Sequence, residues 1–484
     1  MGNRSRTVSI HMLDDDSLLH VFYLYRPFLS GEDQDDNVRL LGGNGTETRG
    51  RWWCTLVHVC QRWRNIIFGS ASYLGVSLVC TYGTPVADML AHSPPLPLII
   101  HYATEGRGIT TDDEQGIFFA LKQRNRVLRV RLAWLDTTLL EKFIAVMDEE
   151  YSILEYLVIG LSIEDNSAML IFPETLQAPH LRLLTLRGFV LPIGSRLLTT
   201  AVSLVTLCLV IAHPSTYFHP NALLQWISLM PQLETLAIYF EFFIPNRDVE
   251  MQLLHTPFIA PITLPNLRDF MFRGVSTYLE ALVRRITTPL LEKLNVAFPN
   301  QLTFSVPCLL ELMNTTENLR FDIAEFGFFN ERVLVKFHYR GETETEYAFF
   351  ILILCWHLDW QVSSMAQISH SLSQMFSAVE HLTLQHEVHG RSSEEHNEVD
   401  RTEWRKLLGS FRNVKTLRID NGLVKDLSLS LKLEGGELPL ELLPELQELT
   451  YELTYSGSGD TSDGFTSFID ARQNAGRPVT LIRQ

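Results

Sequence analysis

His381, His386, His389 and His396 crowd one stretch of the chain. Gathered histidines are the first place to look for a metal site, because neutral imidazole binds zinc, copper and iron. Their spacings of five, three and seven residues fit no standard arrangement, and the acidic stretch His386–Arg401 lacks apolar periodicity and reads as an exposed loop. No metal is expected there. Cys54 and Cys60, six apart, read as small core residues rather than ligands. Gly42-Gly43-Asn44-Gly45 could cradle a phosphate, but no Lys-Ser/Thr and no apolar helix start follow at once, so it reads as a loop. The sequence contains no Gly-x-Ser-x-Gly elbow and no His-Glu-x-x-His helix. The expectation is a chain that is not an enzyme, without catalytic residues or cofactor.

Docking chemistry is a better match to the residues near the start. Leu13-Asp14-Asp15-Asp16-Ser17-Leu18-Leu19-His20-Val21-Phe22 reads as a helix that Asp14 can start, since a carboxylate caps orphan N–H groups and suits the positive helix end. Further on, Trp53, Leu56, Cys60, Trp63 and Ile67 recur at steps of three and four, which predicts one stripe on a second helix, widened by Val59 and Ile66. A polar insert, about 26–51, separates the two and carries Gly31, Glu32, Asp33, Asp35 and Asp36. It reads as a solvated loop.

The pair resembles an F-box, the helical module that docks proteins onto the Skp-type adaptor of cullin–RING ubiquitin ligases. Leu13, Asp16, Leu18, Leu19, Val21 and Phe22 are in register with the family's opening motif. Trp53, Leu56, Val59, Cys60, Trp63 and Arg64 are in register with its closing Val-Cys-x-x-Trp-Arg segment. Asp14 stands where the family has proline, and the insert interrupts the family's helix. The resemblance implies an adaptor-facing and supporting surface of Leu13, Leu18, Leu19, Phe22, Trp53, Leu56, Val59, Cys60 and Trp63.

Beyond about residue 100 the chain repeats a triplet of apolar positions. Val127-x-x-Val130-x-Leu132 is followed by Leu154-x-x-Leu157-x-Ile159, Leu181-x-x-Leu184-x-Leu186 and Leu204-x-x-Leu207-x-Leu209. Leu233, Leu267 and Leu291 begin three more, and after an irregular stretch Val379, Val414 and Leu446 begin the last three. From 127 to 291 the steps are 27, 27, 23, 29, 34 and 24 residues, mostly within or near the range of leucine-rich repeats. The last two positions of each triplet lie two apart, so both face inward from a short strand, and stacking buries what one repeat cannot.

Helices fit the gaps at Asn221–Met230, Tyr278–Thr287 and Trp404–Phe411. Around Arg332–Trp360 the period fails, and Val333–Tyr339 with Tyr347–Cys355 looks like a hairpin. Phe189, Ala212, Glu241 and Val275 stand where the repeat signature expects Asn or Cys, so the repeats are degenerate. A final helix over Gly464–Asn474, a left-handed Gly476 and a strand over Val479–Ile482 would close the array.

Composition bounds the function. The 484 residues suffice for two or more domains, and a net charge of −16 argues against a nucleic-acid partner. Six scattered cysteines suit reduced thiols in the cytoplasm or nucleus. No apolar segment follows Arg4 and Arg6, and the longest apolar run, Ala348–Trp356, is half a membrane span. A soluble protein with no membrane partner is expected.

The fold expected is α/β: a small helical F-box with its insert and linker over 1–100, then an irregular leucine-rich-repeat solenoid with a parallel sheet over 101–484. The chain resembles F-box proteins with leucine-rich repeats in the divergent form common in mushroom-forming fungi. That resemblance implies the substrate-recognition subunit of an Skp–cullin–F-box ubiquitin ligase, with an Skp-type adaptor, a cullin reached through it and a protein substrate as partners. Substrate contacts would fall on outward strand positions, where Arg187, Tyr239, Arg273, Asn295, Gln385, Arg418 and Asp420 are the polar or aromatic candidates. The alternative is a repeat scaffold outside any ligase, its first helices serving only as a cap.

Overall fold

The computed structural model describes residues 10–26, 52–103, 106–162, 170–241, 261–299, 301, 303–316, 318, 319, 321–339, 347–387, 399–433, 438, 440–451 and 462–483. It is a mixed α/β fold built on a large, mostly parallel sheet, as the alternation of strand and helix signals predicts. Two compact units divide it, Met1–Leu204 with Ser215–Tyr217 and Val205–Pro214 with Phe218–Gln484.

The first unit opens with helices Asp15–Tyr25, Cys54–Val57, Gln61–Gly69 and Ala71–Leu74. Asp14 starts the first of them, its carboxylate accepting the Ser17 N–H at 2.7 Å. The single stripe expected from Trp53 to Ile67 needs correction. The helix stops at Val57, Cys60 is extended at φ −161° and ψ 167°, and a new helix starts at Gln61. The steps of three and four thus run across a joint between two short helices. Of the polar insert, all but Arg26 lies outside the described residues, as do Gly42–Gly45.

Parallel strands Leu78–Cys80, Leu98–Tyr102, Val127–Leu135, Tyr156–Leu161 and Leu183–Arg187 follow. The first of them lies before residue 101, where the repeats were expected to start. Helices Val86–His92, Thr111–Leu121 and Thr137–Val146 connect the first four. Thr110 and Asp113 form a capping box that starts the second of these helices.

The second unit runs through parallel strands Thr206–Ile211, Thr235–Phe240, Asp269–Arg273 and Lys293–Pro299. Lys293–Pro299 pairs in parallel with Phe349–Leu354, which pairs antiparallel with Arg332–His338, confirming the hairpin. A strand the sequence reading lacked, Ile323–Phe329, takes the other edge of Arg332–His338 and rejoins the parallel run at His381–Glu387. The missing period is therefore one reversed strand inserted into the sheet. Thr416–Ile419, Glu448–Tyr451 and Thr480–Arg483 complete the order.

Pro220–Ile227, Ser276–Val283, Arg401–Leu408 and Ser462–Asn474 are the helices expected here. The second is shorter than predicted, because Ile286–Thr287 leaves the helix to pair with Ile262–Thr263. The loop predicted from His386 begins later, since the strand continues to Glu387. Gly476 adopts φ +75°.

All ten apolar triplets end in strands, and within a run of consecutive repeats their second positions stand opposite one another. Val130 pairs with Leu157 and Leu157 with Leu184, while Leu236 pairs with Phe270 and Phe270 with Leu294. A turn precedes the strand: Leu154, Leu181, Leu204, Leu233, Leu267 and Leu291 each donate their N–H to the carbonyl three residues back. The residue after Leu181, Leu267 and Leu291 then bonds one repeat back, Arg182 to Glu155, Arg268 to Glu234 and Glu292 to Arg268, with N···O distances of 2.8 Å. The triplet leucines lock behind this backbone, and Phe240, Phe272 and Tyr278 form a ring cluster at 4.7–6.1 Å between centroids.

Candidate functional site

In the helical module two runs far apart in sequence are packed together. The Phe22 ring meets the Trp63 ring edge-on at 4.9 Å, and Arg62 donates to the Leu13 carbonyl at 2.6 Å and to the Asp15 carboxylate at 2.8 Å. Trp53 packs edge-on against Phe68, and its Nε1 donates to the Ser77 carbonyl at 3.2 Å, just before the first strand.

The expected adaptor-facing residues fall into three groups. Leu18, Phe22 and Trp53 are buried, so they hold the module together and offer nothing to a partner. Leu13, Leu19, Leu56, Cys60 and Trp63 are half-buried, and Val59 is exposed. On the first helix three apolar residues absent from that set are exposed as well, Val21 at 42%, Leu24 at 56% and Tyr25 at 60%. Val21 and Leu24 are three apart on one flank of the helix, beside the Leu18–Phe22 stripe, and Tyr25 lies three residues past Phe22 at the end of that stripe. Val21, Leu24 and Tyr25 are therefore the apolar residues that this helix leaves open to solvent. The signal was present in the sequence as an apolar arc wider than one buried stripe, running from Leu24 and Val21 past Leu18 and Phe22 to Leu19.

No protein-family model and no curated protein matches this sequence.

The strand candidates also separate. Arg187, in the first unit, is buried, with its guanidinium over the Trp134 ring at 5.9 Å beside a strand irregularity where Trp134 has φ +63°. Tyr239, Arg273 and Asn295 come together in the second unit. Tyr239 stands directly opposite Arg273, and Asn295 opposite Met271, two residues before Arg273 on the same side. The Tyr239 hydroxyl donates to the Met271 thioether at 3.1 Å, and burial pushes the phenol above its ordinary range. Phe350 stands opposite Asn295 and packs with Tyr347 at 5.3 Å, two ring positions the sequence reading missed because they belong to the hairpin.

Gln385 and Arg418 are exposed on later strands, four or more strand steps from Asn295, roughly 19 Å or more away. Asp420 has a structural task, accepting the His386 N–H at 3.2 Å. These three are not part of one site with Tyr239.

No group of His, Cys, Asp and Glu that could hold a metal ion occurs among the described residues. His389 and His396 lie outside them, while His381 meets the Thr416 hydroxyl at 2.7 Å. The cysteines are free thiols, and burial pushes Cys80 and Cys355 up to about 12. Among the described residues no helix is long and apolar enough to cross a membrane.

Proposed function

We propose that this chain is the substrate-recognition subunit of an Skp–cullin–F-box ubiquitin ligase, with residues 10–75 as the F-box and the strand-and-helix array as a degenerate leucine-rich-repeat domain. One observation carries the reading. The two motif halves, separated by the insert, pack as one helical module through Phe22–Trp63 and Arg62–Leu13, and that module leaves Val21, Leu24, Tyr25 and Val59 exposed. An apolar set on a small helical module suits a groove on a partner protein. The chain performs no bond chemistry in this role. It raises the concentration of a bound substrate near the ubiquitin-charged enzyme.

The repeat register supports the second half of the reading, because triplets stacked in register are what a solenoid requires. Substrate would be met on the sheet face carrying Tyr239, Arg273 and Asn295. Co-expression with an Skp-type adaptor tests the proposal: a complex that co-elutes at micromolar concentration supports it, and a folded chain that elutes alone removes it.

The scaffold reading is favoured by the Trp53–Ser77 bond, which ties the helices to the strand edge as a cap would be tied. Adaptor binding separates the two.

A further inference from the structure

The sheet face of the second unit carries an arginine, Arg273, that forms no ion pair with any carboxylate among the described residues. Val210, Tyr239, Arg273 and Ala297 stand side by side on four adjacent strands. One row earlier are Cys208, Ala237, Met271, Asn295 and Phe350. Small residues at Cys208, Ala237 and Ala297 leave room for long side chains to lie across the face. Nε of Arg273 and Oδ1 of Asn295 are shielded from water and have no hydrogen-bond partner. The described carboxylates on either side of it on this face, Asp269 and Glu241, are not paired with it. Asp269 lies four residues back along the same strand, roughly 13 Å away, with Lys293 directly opposite it. The Tyr239 hydroxyl spends its proton on a thioether, a weak acceptor that a stronger one can displace.

We propose that this face seats an anionic side chain of a peptide, a carboxylate or a phosphoester, on the Arg273 guanidinium and the Tyr239 hydroxyl. A planar guanidinium offers paired donors that match a carboxylate or phosphate, and a partly desolvated site strengthens that bond. Phe350 and Tyr347 supply an apolar wall beside Asn295 for the residue next to the anion. The inference takes from the proposed function only that this face meets substrate, and it assigns that substrate a chemical class.

The test uses the full chain and four fluorescein-labelled peptide pools with degenerate, non-acidic flanks and a fixed centre of phosphoserine, glutamate, serine or glutamine. Fluorescence anisotropy is expected to show the phosphoserine or the glutamate pool binding at least about fivefold more tightly than the two neutral pools. Whichever of the two binds more tightly identifies the source of the anion. Arg273→Gln is expected to erase the preference, Arg273→Lys to keep part of it, and Lys425→Gln, on an exposed helix position, to leave it whole. Each variant is accepted only with the unfolding midpoint of the parent. Should Arg273→Gln fail that check, Tyr239→Phe is expected to weaken the preference instead. Equal binding of charged and neutral pools, no binding of any pool, or a preference that survives the folded substitution overturns the proposal. Adaptor binding by the same proteins keeps the two readings apart. A chain that selects anionic pools without binding adaptor overturns the ligase reading alone, and one that binds adaptor but selects no pool overturns this site alone.

Discussion

The ring of Phe22 lies edge-on to the ring of Trp63 at 4.9 Å between centroids, joining a helix that ends at Tyr25 to one that begins at Gln61. This contact makes one module of two segments separated by a polar insert. Phe22 is fully buried, so Phe22→Ala leaves a cavity and is expected to destabilise the module by about 3–5 kcal/mol. Urea denaturation followed by Trp fluorescence checks this. Unchanged unfolding would mean that the two halves do not depend on each other.

Asp113 predicts an acid-sensitive first unit. Burial pushes its carboxyl up, but bonds from the Thr110 hydroxyl at 2.7 Å, the Gly83 N–H at 2.8 Å and the Thr110 N–H at 3.2 Å outweigh that and hold it below the ordinary value. A carboxyl depressed in the folded state contributes stability that is present above its unfolded value near 3.8 and lost as pH falls through the folded one. Asp113→Ala is expected to cost about 1–3 kcal/mol at pH 7 and less below pH 3. A pH series of denaturation midpoints checks it, and an equal loss at both ends of the series contradicts it.

Arg472 holds the last helix against the loop before the strand Glu448–Tyr451. It is fully buried and donates to the carbonyls of Leu443, Pro444 and Leu446, each at 3.0 Å. Leu443 has φ +48°, so the arginine clamps a turn that the backbone alone disfavours. Arg472→Ala strands three carbonyls and is expected to cost about 3 kcal/mol or more. Hydrogen exchange should then show Ser462–Asn474 losing protection before the preceding strands. Uniform protection in the variant would contradict the clamp.

The sheet was legible in the sequence because its strands carry a redundant pattern. Leu181, Leu184 and Leu186 specify a turn, a strand and its inward face together, and repetition of the triplet fixes register as well. Ile323–Phe329 escaped because Ala324, Phe326 and Phe328 alternate without a leading leucine, and its partner Arg332–His338 runs the other way. Val21 and Leu24 were left out of the expected surface for a different reason. The apolar residues of the first helix form one wide arc, and periodicity does not say which part of it the fold buries. The break at His58–Cys60 was hidden because apolar steps of three and four carry on across the joint between two short helices. Of the strand candidates, Tyr239, Arg273 and Asn295 converge in one place and Gln385 and Arg418 in another, which depends on strand order rather than on residue type.

The exposed apolar set on the module gives the most direct test of the account. The full chain is co-expressed with an Skp-type adaptor, and the dissociation constant is measured by calorimetry for the parent, for Val21→Asp with Leu24→Asp, and for Leu481→Asp on a distant strand. The account predicts micromolar or tighter binding, weakened at least about tenfold by the Val21 and Leu24 pair, a loss of about 1.4 kcal/mol or more, and unchanged by Leu481→Asp. A correctly folded parent that binds no adaptor, or a double variant that binds as well as the parent, would contradict it.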